Sequence, residues 1–257
     1  MRIATWNVNS LRVRLEILGQ WLTQDGPEVV CLQETKVTDE LFPVQALADI
    51  GYQVVFTGQK TYNGVALLSR LPLSDVRLEL PGTPPEGEKR FITAMINGIR
   101  VINVYVPNGQ EVGSAKFHYK LAWLEALETF LRTTYTLAEP VLLCGDFNIA
   151  PEARDVYDPV QAEGGILFHP EERAAFARLL AWGLHDTLRL HQQGGGLYSW
   201  WDYRAMAFRR NLGYRIDHIL VTPPLAARCT EVTLVRDLRK LPKPSDHIPV
   251  VATFREA

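Results

Sequence analysis

Val141-Leu142-Leu143-Cys144-Gly145-Asp146-Phe147-Asn148 is the stretch on which the reading of the fold turns. Apolar residues run unbroken to a glycine and then deliver a carboxylate and an amide. A short continuous apolar run of this kind fits a strand buried on both faces, and a core has no use for the polar residues at its end. The same figure recurs outward along the chain. Ile3-Ala4-Thr5-Trp6 runs into Asn7, and Val29-Val30-Cys31-Leu32 runs into Gln33-Glu34. Val101–Val106 carries Tyr105 beside Pro107-Asn108, Arg215-Ile216-Asp217-His218 opens a strand, and Ser245-Asp246-His247 precedes the last one.

Val- and Ile-rich runs predict strands at Arg2–Asn7, Val29–Glu34, Gln53–Thr57, Val65–Ser69, Phe91–Ile96, Arg100–Val106, Val141–Gly145, Arg215–Val221 and Val250–Phe254. Between them lie helical patterns. Phe117, Leu121, Leu124, Leu127 and Leu131 form one stripe from Ser114 to Tyr135, and Leu11, Leu15, Leu18 and Leu22 form another before Gly26-Pro27. A third helix is expected from Pro170, at a first helical position, to Gly183 as its C-cap. Leu80–Gly87 reads as a surface loop. Many strands with interleaved helices fit a layered sheet core clad by helices. Strand order, and parallel against antiparallel pairing, stay open.

The 257 residues suit one domain spanning the chain, and 47% hydrophobic with 22% charged residues excludes a disordered protein. Apolar runs break far short of the ~20 residues of a membrane span. The N-terminus reads as a strand and lacks the order of a signal peptide. Three widely spaced cysteines give neither a disulfide framework nor a zinc site. Cys31 and Cys144 sit in apolar runs as core thiols, which fits a reducing, cytoplasmic compartment. A net charge of −2 speaks at first against a nucleic-acid partner. It is unevenly spread: Trp200 to Lys243 holds nine basic and four acidic residues, with Trp200, Trp201, Tyr203, Phe208 and Tyr214 interleaved among Arg204, Arg209, Arg210 and Arg215. Aromatics among arginines suit a pocket for an unstacked sugar beside a phosphate-gripping surface. A run of charge is ordinarily a solvated face, and of two adjacent strand tryptophans one must point to the core; that one is taken to be Trp201.

Singly, each polar residue at a strand end has a plain explanation as a turn former or helix cap, Asp246 after Ser245 above all. Asp217 in mid-strand is harder to explain, because a buried carboxylate needs a partner. The recurrence decides. If these strand ends converge, they gather Glu34, Asp146, Asp217 and Asp246 with Asn7, Asn148 and His247. Oxygen donors in that number form the environment of a hard cation such as Mg²⁺, which relieves the repulsion among the acids.

Trp6–Arg12, Leu32–Lys36, Asn63–Arg70, Gly145–Pro151, Gly213–Asp217 and Ser245–Pro249 resemble, in order, the motifs of the exonuclease III-type apurinic/apyrimidinic endonucleases. Leu32–Lys36 and Ser245–His247 recur across the wider endonuclease/exonuclease/phosphatase superfamily; Ser199–Tyr203 with Gly213–Asp217 belongs to its DNA-repair branch. The resemblance implies a four-layered α/β sandwich, two packed sheets flanked by helices. It implies Asn7, Glu34 and Asp246 around Mg²⁺, with Mn²⁺ as a substitute. It also implies that Asp146 and Asn148 handle the attacking water, that Tyr105 reaches the phosphate, and that His247, paired with Asp217, sits against the phosphoryl oxygens. Trp200, Tyr214 and Ile216 match the walls of an abasic-sugar pocket, and Lys36, Asn108 and Arg209 are candidate DNA contacts. The chain departs from the pattern at Asn9, where some relatives carry Asp, and at Tyr214, where some animal members carry Trp. His218 is expected to point away from Asp217 and to pack.

The implied activity is Mg²⁺-dependent incision of double-stranded DNA 5′ to abasic sites, with 3′→5′ exonuclease and 3′-phosphatase action on blocked 3′ ends. A cytoplasmic monomer of bacterial type, found with the nucleoid through its substrate, completes that expectation. The rival readings are a superfamily hydrolase of RNA, lipid or inositol phosphates, which the Trp200–Asp217 segment opposes, and an inactive DNA-binding module, which the full set of acids opposes.

Overall fold

The computed structural model describes residues 1–83 and 87–256, so residues 84–86 of the expected Leu80–Gly87 loop lie outside the described residues. The strands are β1 (Arg2–Asn7), β2 (Val29–Gln33), β3 (Gln53–Thr57), β4 (Val65–Ser69), β5 (Leu73–Arg77), β6 (Phe91–Ile96), β7 (Ile99–Tyr105), β8 (Val141–Asp146), β9 (His185–Asp186), β10 (Asp217–Val221), β11 (Cys229–Leu234) and β12 (Val250–Phe254). The helices are α1 (Leu11–Asp25), α2 (Val44–Ala48), α3 (Ala115–Thr134), α4 (Pro159–Ala162), α5 (Pro170–Trp182), α6 (Thr187–His191), α7 (Ala207–Arg210) and α8 (Pro223–Ala226).

The strands form two six-stranded sheets, ordered β11-β12-β1-β2-β4-β3 and β5-β6-β7-β8-β10-β9. Only β1–β2 and β7–β8 pair in parallel. The sheets pack face to face through Ile3, Cys31, Val65, Val101, Leu142 and Ile219. On the outer side of the first sheet α1 lays Leu11, Leu18 and Leu22 against Ala4, Val30 and Leu32. On the outer side of the second, α3 and α5 cover Ile102, Val104, Leu143 and Leu220 with Trp123, Leu127, Leu131 and Phe176. Four layers result. The central β8 sends Leu142 into the space between the sheets and Leu143 beneath the helices, which is why its sequence is continuously apolar.

The three long helices form as their stripes predict, with one change of composition. The buried face of α3 carries Lys120, while Leu121 is only partly covered. Ser114 caps α3 by accepting from Phe117 N, and His169 and Glu172 form a capping box at α5. Three strands fall outside the sequence reading: β5, β9 and β11. Each is short, exposed or interrupted by a bulge.

Both parallel pairs point their C-terminal ends the same way. In the second sheet Tyr105 and Asp217 lie on either side of Asp146 in register. In the first, Asn7 stands beside Gln33. A buried polar bridge fixes one sheet against the other. Gln33 Nε2 donates to Asn103 Oδ1 at 2.7 Å, and Asn103 Nδ2 donates to the carbonyls of Leu32 and Ala66, both at 2.9 Å.

Candidate active site

Glu34 leaves β2 in a left-handed conformation, φ 49°, a costly geometry for a residue with a side chain and one that marks functional turns. It meets Asp146 of the other sheet through Asn7, whose Nδ2 donates to Glu34 Oε1 at 2.8 Å and to Asp146 Oδ2 at 2.9 Å. The Asn7 oxygen accepts from Asn9 N at 2.9 Å. Asn7 therefore offers nitrogen to the two carboxylates and its oxygen to the backbone of Asn9, and so holds the acids in place.

On the far side, His247 Nδ1 lies 2.9 Å from Asp217 Oδ2 and its Nε2 lies 3.8 Å from Asp146 Oδ2. Trp6 Nε1 donates to the His247 carbonyl, and Ser245 Oγ accepts from His247 N while donating to the Asn7 carbonyl. Ser199 Oγ accepts from both Ile216 N and Asp217 N. The imidazole and its carboxylate are thus each fixed through their own backbone.

Electrostatics separate the roles of these groups. Burial pushes the Asp146 carboxyl up to about 7, with Asp217 and Glu34 adding to the rise and His247 and Asn7 opposing it. Burial acts against the His247 cation, yet Asp217, Asp146 and Asp246 outweigh it and raise its pKa to about 10. Burial also disfavours ionised Glu34, but Lys36 and Asn7 hold its carboxyl below the usual range. Tyr105 is pushed well above a normal phenol by burial and by the charges of Glu34 and Asp146, so it remains a neutral O–H donor. The Arg90 guanidinium covers the Tyr105 ring at 4.5 Å.

Asn148, at φ 52°, accepts from Asn108 Nδ2 at 3.0 Å and donates its backbone N–H to Asp146 Oδ1 at 2.9 Å. Asp246 accepts from Asn9 Nδ2 at 2.9 Å and from Trp200 Nε1 at 3.0 Å. Lys36 reaches the cluster, where its Nζ lies 2.8 Å from Glu34 Oε2 and 2.6 Å from Asn9 Oδ1. Trp200, Tyr214 and Ile216 join Ala150, Leu167 and Phe168 in an apolar cluster beside His247. Trp201 is fully buried, as expected. His218 packs under Phe147 and Phe176, on the side of its strand away from the site.

The basic segment is less free than its sequence implies. Arg215 is buried and bonded to Asp155 at 2.6 Å and to Asp186 at 2.7 Å, so it braces the pocket from behind and does not face a phosphate. Arg204 pairs with Asp202 and Lys240 with Asp237. Arg236 and Arg239 lie over Trp201, Phe208 and Tyr203. Arg209 is exposed on α7, outside the hydrogen-bonded cluster. The sequence reading missed the covering Arg90, the pocket residues Leu167 and Phe168, and the buried Lys120–Glu172 pair. For the last, a lysine inside an apolar helical stripe was the available signal.

The donor set fits a hard cation. One ligand atom from each of Glu34, Asp146 and His247 lies within 4.8 Å of the others, a cluster able to hold a metal ion. A carboxyl near neutrality, a fixed imidazolium, a neutral phenol and a cation site are the parts of a hydrolase for phosphate esters. The comparisons agree. The sequence profile of the Endonuclease/Exonuclease/phosphatase family matches residues 4–247, and the chain belongs to that family. An exodeoxyribonuclease III of Haemophilus influenzae is 37% identical over 99% of this chain and 100% of its own. A 3′ phosphatase from Neisseria, solved with a product DNA hairpin, superposes with a TM-score of 0.96 at 45% identity, covering 100% of both chains. An AP endonuclease from Archaeoglobus fulgidus gives 0.94 at 43% identity, again over 100% of both. No helix among the described residues is long and apolar enough to cross a membrane.

Proposed function

We propose that this protein incises double-stranded DNA 5′ to abasic sites, leaving a 3′-hydroxyl and a 5′-deoxyribose phosphate, and that it also trims blocked 3′ ends as an exonuclease and 3′-phosphatase. One observation carries the reading: the Asp146–Asn7–Glu34 and His247–Asp217 constellation opens directly onto the apolar Trp200, Tyr214 and Ile216 cluster. A polar hydrolytic centre beside apolar side chains suits a phosphodiester whose neighbouring sugar carries no base.

Asp146, poised near neutrality, takes the proton of the attacking water, which the Asn148 amide orients. The His247 cation, kept in register by Asp217, meets the charge developing on the phosphoryl oxygens. Tyr105 donates its phenolic proton to the phosphate. Glu34 would hold Mg²⁺, or Mn²⁺ in its place, with Asn7 and Asp246 around it. The ion supplies charge relief for the leaving 3′-oxygen, which a protein group provides poorly at neutral pH. Lys36, Asn108 and Arg209 are DNA contacts on this reading, Lys36 through its exchange between Glu34, Asn9 and a phosphate. The chain acts as one domain and as a monomer, in the cytoplasm with the nucleoid.

A defined abasic duplex incubated with Mg²⁺ and with EDTA, beside undamaged duplex, a 3′-phosphate duplex and inositol phosphates, tests this. The expected result is Mg²⁺-dependent cleavage 5′ to the lesion. An abasic duplex left intact with Mg²⁺ would overturn the incision reading.

A further inference from the structure

The buried stripe of α3 holds a charge. Lys120 is wholly buried, and so is its partner Glu172 on α5. A buried ion pair gives little stability that apolar residues of the same volume would not give, so its contacts must account for it. Lys120 Nζ donates to Glu172 Oε1, to the Asn148 carbonyl at 2.7 Å and to the Asn108 carbonyl at 3.2 Å. An ammonium has three N–H donors, and here all of them are used. Glu172 Oε2 accepts from His169 N at 3.0 Å, next to Phe168 of the apolar pocket. One buried pair thus ties together, from behind, three loops that form the front of the site.

On the front, the same two asparagines meet again through their side chains, and the Asn148 N–H is bonded to Asp146 Oδ1. Asn148 sits in the left-handed region, φ 52°, which asparagine enters more readily than other side chains. Lys120 holds the carbonyl on the following side of Asn148, and the N–H bonded to Asp146 lies on the preceding side. Gly109 lets the chain pass over the lysine stem: a Cβ there would stand 3.2 Å from Lys120 Cδ.

We propose that Lys120, held by Glu172, is a positioning residue for phosphodiester cleavage: by fixing the carbonyl that follows the Asn148 Cα it sets the backbone of that residue, and with it the N–H on the preceding side that orients Asp146. The proposal rests on Asp146 being the catalytic carboxylate. It adds a residue that touches neither DNA nor cation.

The test is Lys120→Met, of similar length and neutral, measured on the abasic duplex and on a 3′-phosphate duplex. On both substrates kcat is expected to fall about 10- to 100-fold, while KM and the half-saturating Mg²⁺ concentration stay within about twofold. Because K120M strands a buried carboxylate, the double variant K120M/E172Q is measured beside it. Removing that charge should recover part of the lost Tm, and kcat should stay low because no ammonium donates to the two carbonyls. Recovery of kcat together with Tm would make the pair merely structural and overturn the proposal. An unchanged kcat in K120M, or a loss confined to KM, would do the same. If K120M does not fold, the double variant alone carries the comparison. A wild-type enzyme that removes 3′-phosphates but leaves abasic sites intact would overturn the incision reading, and the kcat comparison on the phosphate substrate would still decide the role of Lys120.

Discussion

Asp146 and Glu34 are neighbours with opposite leanings: burial holds one near neutrality, and Lys36 helps keep the other ionised. Their substitutions should therefore fail differently. Asp146→Asn keeps the shape and the hydrogen bond from Asn148 N. It is expected to cut turnover about 10²- to 10⁴-fold while abasic-duplex affinity, read by fluorescence anisotropy, holds; a comparable loss of affinity would make Asp146 a binding residue. Glu34→Ala should instead move the Mg²⁺ titration of activity upward by about tenfold or more. An unmoved titration would take Glu34 out of the cation site. His218 offers a test that touches no catalytic group. Burial, helped by Arg215, draws its pKa from 6.5 down to about 4. A base depressed in the folded state contributes stability that is present above pH 6.5 and lost as the pH falls toward 4. NMR titration should find a neutral ring down to about pH 4. The drop in unfolding free energy between those limits should be smaller in His218→Gln.

The elements explain which of these residues could be read from sequence. β8 is covered on both faces, so its apolar run and its terminal Asp146 stand out without any knowledge of its neighbours. β5 lies at a sheet edge with four of its five residues exposed, and the bulges in its pairing and in that of β11 break the two-residue period. Such strands are made by their partners and leave little trace in their own composition. Strand order was illegible for the same reason. Arg215 shows the converse error: one letter in a basic, aromatic segment reads as a phosphate contact, while the fold turns it inward to Asp155 and Asp186. Arg215→Met should accordingly destabilise by about 3–5 kcal/mol in denaturant unfolding, since it takes the cation from Asp186 and leaves Asp155 with Arg189 alone; loss of DNA affinity with unchanged stability would reinstate the phosphate role. Gly145 marks another constraint set at this scale. A Cβ on it would lie 1.9 Å from the Val104 carbonyl oxygen, so β7 and β8 approach as they do only because it is glycine. Gly145→Ala should lower Tm and disturb Asp146, its neighbour in sequence, together.

For the molecule as a whole, the net charge of −2 proves compatible with the nuclease reading once the charges are located. Several acids serve the site, and several of the C-terminal arginines are committed to aromatic rings or to aspartates. Among the described residues of the segment from Trp200 to Lys243, Arg209, Arg210, Arg228 and Lys243 have neither a carboxylate nor a ring partner. Arg209→Ala should reduce the slope of log K against log salt by about one while weakening all sequences alike. An unchanged slope would remove Arg209 from the interface. The Asn7 bridge has a last consequence, since it joins Glu34 of one sheet to Asp146 of the other. The reaction centre is also a rivet between the two halves of the sandwich. Parting the two sheets would part Glu34 from Asp146, so the site exists only where the halves meet and is lost as soon as their packing loosens.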